Sequence, residues 1–388
     1  MDFIEELTQY IPDNMILRDE SMVRHTTIRL GGPVSFYIQT DTIERLIKAV
    51  LICRAHDVPY IIEGRGSNLI FTDKGFKGAV IRTAPPWSGG SQILINDLSA
   101  VNADIKTSAF RHGEDKASEN AAQHDEDKVT VNASRLDEDK VLKCGDQHDI
   151  TSVQVFDLES FTEDFFINMG YPVSLSAADL DAVVIAGAGA GMASFAKACA
   201  DHSLTGAECL SGIPGSIGGA VVMNAGAYGG EIKDIIIGAK VLTPLGNIAY
   251  LDKARLDLSY RHSSIEENGC IVLSAAFGLK KGKKQEIIDK MNDLNSRRRQ
   301  KQPLDMPSAG STFKRPVVGY AAQLIEESGL KGIRIGDMMI SDKHAGFIIN
   351  AGNGTYAEAM KLIDHVQKTV FEKKGILLEP EVRIEGDR

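Results

Sequence analysis

Residues 210–231, LSGIPGSIGGAVVMNAGAYGGE, hold seven glycines in 22 positions, surrounded by small residues and few charges. Glycine weakens helices and strands and loses the most entropy on folding. Such density inside an apolar stretch therefore needs a reason: either the main chain approaches something very closely, or it adopts positive φ. Bare amides in a turn form an anion-binding nest, which suits a diphosphate. Ser211 and Ser216 would add hydroxyl donors. Taken alone, the run also reads as a tight packing corner.

A second loop of this kind follows the short apolar run Pro59-Tyr-Ile-Ile-Glu63. That strand enters Gly64-Arg65-Gly66-Ser67-Asn68, where two glycines free the backbone and two short polar arms follow. Many strand corners contain such residues, so the motif gains weight only beside the 210–231 run. Another strand, 182–186, enters Gly187-Ala-Gly189-Ala-Gly191, half of a dinucleotide fingerprint. Met192 stands where G-x-G-x-x-G needs its third glycine, which argues against a Rossmann unit.

The chain has 388 residues, long enough for two or three domains. Its net charge of −10 argues against nucleic acid or an anionic membrane surface as partner, so an anionic substrate needs a local basic pocket. The five cysteines (53, 144, 199, 209 and 270) form no CxxC pair, so neither a metal site nor a disulfide framework is expected. The acidic start MDFIEELTQYIPD is no signal peptide, and no apolar run reaches membrane-spanning length. These features point to a cytoplasmic protein with reduced thiols.

In order, the pattern predicts a short amphipathic helix and connector over 1–22. A strand, turn and strand follow across His25 to Ile38, broken at Gly31-Gly32-Pro33. Asp41 with Glu44 marks a helix start, and Ile43, Leu46, Ile47, Val50 and Leu51 recur at helical spacing. From 85 to 181 the chain turns acidic and weakly hydrophobic, with DEDKV repeated at Asp125 and Asp137. This reads as a solvated, partly disordered insertion whose partner, if any, is unknown. Beyond it come a helix with Met192, Phe195, Ala196 and Cys199 on one face, strands over 235–242 and 270–279, and a basic helix over 285–299. Two further helices, 320–328 and 356–373, flank a strand region near 340–349.

The motifs HTTIRLGG, EGRGSNL, SGIPGSIGGAVVMNAGAYGGE, SYRHS, SAGSTFKRP and LEPEVR stand in series along the chain. Together they resemble the UDP-N-acetylenolpyruvoylglucosamine reductase family, over nearly everything outside the middle segment. Only a few residues separate His262 from Cys270, so the resemblance is to the class that lacks a tyrosine-bearing loop. It implies an α+β chain: a two-subdomain FAD-binding fold of the vanillyl-alcohol-oxidase type plus a C-terminal α+β substrate domain. The expected units are 1–84 completed by 376–388, the insertion 85–181, a second FAD subdomain 182–282, and a substrate domain 283–375.

The resemblance also implies an activity: NADPH-dependent, FAD-mediated reduction of UDP-N-acetylglucosamine enolpyruvate to UDP-N-acetylmuramate in peptidoglycan precursor synthesis. Carried over by position, Gly64, Arg65, Gly66, Ser67, Asn68, Gly189, Ser211, Gly212, Pro214, Gly215, Ile217, Gly218 and Gly219 would hold FAD. Asn224, Gly226 and Ala227 would lie nearer the flavin, and Tyr228 nearer the substrate. Hydride delivered to C3 of the enolpyruvyl ether leaves an enolate that needs charge stabilisation and a proton at C2. Arg261 and Glu381 are the implied stabilisers, and Ser311 is the implied proton donor. Arg297 and Lys301, four apart at a helix end, would meet the substrate diphosphate together with Lys314; Arg315 is left unassigned. The alternatives are another FAD-dependent oxidoreductase of the same fold, or a non-catalytic nucleotide-binding scaffold.

Overall fold

The structure is a computed structural model that describes residues 2–83, 94–97 and 180–387; of 94–97 only the backbone path is described. The first unit opens with helix α1 (Phe3–Leu7), whose Asp2 and Glu5 form a reciprocal capping box. Strands β1 (Ile16–Ser21), β2 (Pro33–Thr40), β3 (Tyr60–Glu63) and β5 (Phe76–Thr83) form a sheet in the order β1-β2-β5-β3, with β4 (Leu69–Phe71) outside it. Helix α2 (Ile43–Ala55) lies between β2 and β3. Its cap is Thr42, whose side chain accepts from the Arg45 amide, one residue after the acidic start signal. Leu46, Ala49, Val50 and Cys53 form its buried face, close to the stripe read from the sequence.

The second unit is antiparallel throughout. Its strands are β6 (Leu94–Asp97), β7 (Ala182–Gly187), β8 (Leu204–Thr205), β11 (Ile236–Leu242), β12 (Ile248–Asp252) and β13 (Ile271–Lys281). The order is β12-β11-β13-β7-β6, with β8 joining β13. The small hairpin β9 (Gly226–Ala227) and β10 (Gly230–Glu231) stands apart from it. Because both neighbours of β7 run antiparallel to it, the Gly187–Gly191 turn does not open a parallel βαβ unit. Helix α3 (Met192–Asp201) buries Met192, Phe195, Ala196 and Cys199 against this sheet, and α4 (Ile217–Val222) follows from the glycine run. One continuous core joins both units: Ile38, Leu46 and Ile81 share it with Val184, Phe195 and Phe277.

After α5 (Lys284–Lys301), strands β14 (Ser308–Ser311), β15 (Arg334–Ile335), β16 (Met338–Ile340) and β17 (Phe347–Asn350) pack with α6 (Ala321–Glu327) and α7 (Tyr356–Lys374) around a second core. Strand β18 (Arg383–Glu385) then returns to the first unit and pairs in parallel with β4.

Three expectations change. Residues 25–32 do not form the first arm of a strand pair. Their backbone bonds go elsewhere: the Thr27 amide to the Gly66 carbonyl, the Gly32 amide to that of Thr72, and the Ile28 carbonyl to Asn350 Nδ2. Ile28 and Leu30 are thereby spent on the C-terminal core rather than on a sheet face. The connector after α1 contains β1, and β12 was not foreseen, although Pro244-Leu-Gly246 makes the hairpin turn that precedes it. Within the acidic segment, Leu94–Asp97 is an edge strand of the second sheet; the other expectations for 85–179 lie outside the described residues.

Phe195 and Phe277 are fully buried, with ring centroids 4.7 Å apart, where the core of the first and second units is continuous. Phe195→Ala should lower unfolding stability by about 3–5 kcal/mol, read from denaturant midpoints.

Candidate functional site

The two glycine loops meet. Ser67 Oγ donates to the Pro214 carbonyl at 3.1 Å, and a Cβ on Gly64 would stand 2.3 Å from Ser216 Oγ. Gly66 has φ +60°, and a Cβ there would lie 2.1 Å from the His25 carbonyl oxygen. Both glycines are therefore dictated by close approach. The amides of Arg65, Gly66 and Ser67 donate to no described residue. Three unpaired amides in a tight loop are the nest that an anion would fill.

These loops form one side of a cleft of about 860 Å³. Its lining includes Gly64, Arg65, Gly66, Ser67 and Asn68 from the first loop, and Pro214, Gly215, Gly218, Gly219, Gly226 and Ala227 from the second. Arg261, Glu381, Arg298 and Ser308–Gly310 complete it from distant parts of the chain. The Asn68 side-chain amide donates to the Glu381 carbonyl at 3.1 Å, tying the first loop to the segment that carries this carboxylate.

Other residues singled out in the sequence lie behind the wall. Gly189 packs on Thr83. Ser211 accepts from Asn295 Nδ2, and Gly212 leaves no room for a side chain against Asn295 and Arg298. Ile217 is core, and its amide is committed to the Ala190 carbonyl, as that of Gly218 is to Ala188. Asn224 is buried and fully bonded: it donates to Glu231 and to the Ser259 carbonyl and accepts from the Lys233 amide. It braces the 259–262 turn, which carries Arg261 at φ +54°.

Arg261 Nε donates to Glu381 Oε1, and both side chains are mostly buried. Burial pushes the Glu381 carboxyl above its ordinary range, against the pull of Arg261 and Lys314. The Glu381 amide donates to the Thr312 carbonyl at 2.8 Å, and Phe313 bridges Pro380. Ser311 therefore sits one residue from the backbone that holds Glu381. It is half-buried, and the cleft wall itself is formed by the three residues before it, with Gly310 at φ +80°.

The basic helix end differs from expectation. Arg297 is exposed and paired with Asp293 at 2.8 Å, and Lys301 is exposed and outside the cleft lining. Helical spacing turns the neighbouring Arg298 inward instead. It is 4% exposed, lines the cleft, and lies 5.5 Å from the Tyr228 ring centroid. No carboxylate pairs with it among the described residues, and burial pulls its pKa down. Lys314 pairs with Glu379, and the Arg315 amide donates to Tyr260 Oη. Sequence reasoning also passed over Glu63, which is fully buried at the root of the first loop; its only signal was its place just before Gly64. Among the described residues no cluster fits a metal ion.

A model of the UDP-N-acetylenolpyruvoylglucosamine reductase C-terminal domain matches residues 302–385, and an FAD-binding domain model matches 123–252. The UDP-N-acetylenolpyruvoylglucosamine reductase of Agathobacter rectalis is 38% identical over 385 residues, spanning 99% of this chain and 98% of its own. That of Caldanaerobacter subterraneus is 34% identical, spanning 99% and 98%. This chain belongs to the UDP-N-acetylenolpyruvoylglucosamine reductase family. The solved reductase from Thermus caldophilus is 26% identical, with a TM-score of 0.61 over 95% of this chain and 97% of that one.

As a member of the reductase family the chain is a flavin-dependent oxidoreductase with FAD as cofactor. The residues present fit that group: a long cleft, unpaired loop amides, and glycines where a side chain would fill the cradle. Gly66→Ala should force the 64–68 loop away from His25 and weaken FAD retention at least tenfold. The flavin absorbance of the purified variant, measured against protein concentration, checks this.

Proposed function

We propose that this enzyme reduces UDP-N-acetylglucosamine enolpyruvate to UDP-N-acetylmuramate with NADPH, supplying a peptidoglycan precursor in the cytoplasm. The observation that carries the reading is the Arg261–Glu381 pair, brought to the rim of the cleft that both glycine loops line. Bound FAD supplies hydride to C3 of the enolpyruvyl group.

The chain's own residues do the rest. Arg261 offers guanidinium donors to the substrate carboxylate and holds the charge that develops on it as C3 is reduced. Glu381 fixes the Arg261 side chain and, having a raised pKa, adds little opposing charge when protonated. Ser311 donates the proton to C2; its hydroxyl makes no hydrogen bond to another described residue, which leaves it available. Arg298, buried and without a carboxylate partner, receives the nucleotide diphosphate in the role the sequence assigned to Arg297 and Lys301. The Tyr228 ring beside it limits its motion. No helix among the described residues is long and apolar enough to cross a membrane, so nothing in them requires a lipid surface for this reaction.

Anaerobic titration tests the assignment. NADPH should bleach the flavin, and the enolpyruvyl sugar nucleotide should restore the oxidised spectrum; recovery with dioxygen only would sink the substrate assignment. Ser311→Ala should bleach normally yet reoxidise with substrate about 10²–10⁴ more slowly, seen by stopped flow. Arg298→Ala should raise KM for the sugar nucleotide about 10- to 100-fold while the flavin content stays at the parent level, as measured by steady-state kinetics.

A further inference from the structure

Glu63, the last residue of β3, is a titratable group that the reaction above leaves unused. It is 0% exposed, in a wall built of strands rather than at a surface. Its Oε2 accepts from Tyr37 Oη on β2 at 2.9 Å. Arg82 on β5 donates to the same Tyr37 oxygen at 3.1 Å and does not bond the carboxyl. Among the described residues Glu63 Oε1 therefore has no hydrogen-bond partner, and neither has Arg82 Nε. A Cβ built on Gly66 would stand 2.7 Å from Oε1, so this bare oxygen lies directly beneath the loop with the three unpaired amides. A dry carboxylate oxygen without a donor is costly, and its charge is relieved by protonation. An anion held on the loop above would add repulsion and favour protonation further.

We infer that Glu63 is a positioning residue that makes FAD retention proton-linked: it sits neutral beneath the 64–68 loop when the cofactor diphosphate is in place, and losing FAD lets it ionise. The inference rests on the reading that this loop holds the diphosphate.

Burial pushes Glu63 up to about 7, against the smaller pull of its Tyr37 hydrogen bond and of Arg82. The sign follows. The protonated form tolerates the diphosphate and the ionised form repels it, so affinity is greatest below about 7 and falls as pH rises to the value in the complex. Within that window each pH unit weakens binding by up to about tenfold. The surrounding groups hold their charge there. Burial drives the Tyr37 phenol far up, so it stays a donor. Arg82 stays cationic. His25, stacked on Tyr37 with centroids 3.7 Å apart, is drawn below its ordinary value by burial, which favours its neutral form, against its hydrogen bond to Glu20. Arg24, beside Glu20, is exposed. Glu381, at the Arg261 side of the cleft, also titrates high, and a Glu63 variant separates its share.

The test dilutes the full-length holoenzyme at a series of pH values and reads released FAD by its fluorescence; FAD itself keeps one charge across neutral pH. The parent should retain FAD about tenfold or more weakly at pH 9 than at pH 7. Glu63→Gln, neutral at every pH, should hold that change to within about twofold. Tyr37→Phe removes the bond that lowers Glu63, so the midpoint of its profile should move to higher pH. A pH-indicator dye in weak buffer should also record a proton released with FAD from the parent near pH 8. Parallel profiles in parent and Glu63→Gln, or no proton released by the parent, would overturn the inference. Protein that holds no FAD at any pH would instead overturn the cofactor reading beneath it.

Discussion

The site depends on how closely two strand-exit loops approach each other. A side chain on Gly64 would crowd the Ser216 hydroxyl, and Ser67 is bonded across the seam to Pro214. That seam fixes the relation between a mixed sheet in the first unit and an antiparallel one in the second, and the shared core behind it makes the relation rigid. The cleft is what remains in front of the seam. Its far wall comes from a third set of elements, held in register because Asn68 bonds the main chain at Glu381.

Much of this was legible in the sequence because it is local. Glycine density marked both loops, apolar spacing marked α2, α3 and α7, and short apolar runs marked β3, β7 and β11. What failed to show was set by distant partners. The 25–32 segment has strand composition, but its hydrogen bonds are claimed by Gly66, Thr72 and Asn350, so propensity lost to tertiary context. Choosing among three consecutive arginines was beyond composition too. Only the packing of α5 against the Ser211–Gly212 turn decides that Arg298 faces in while Arg297 meets Asp293. The amides of Ile217 and Gly218 are consumed by the neighbouring turn, and Asn224 braces the turn that carries Arg261.

Several residues in and around the cleft are costly to hold in place. Asn224, Tyr228 and Arg261 all adopt positive φ without being glycine, a conformation that ordinary side chains resist. Glu63 is fully buried and Arg298 is 4% exposed at the cleft, neither with a counter-ion in direct contact among the described residues. Such groups lower the stability of the unliganded chain. Ligands carrying complementary charge or hydrogen-bonding groups would relieve part of that strain, so occupancy and stability are coupled through the same side chains.

The bond from Asn68 to Glu381 joins positions 313 residues apart. By loop-closure statistics, joining ends so far apart costs only about 2 kcal/mol more than closing a thirty-residue loop. The kinetic consequence is larger, because distant pairings form late and slow the approach to the native state. Strand β18, two residues beyond Glu381, has no local route to its place beside β4, so the cleft closes only after the units around it have ordered. During that interval a cofactor already held by the 64–68 loop would offer the incoming strand a finished surface to dock on.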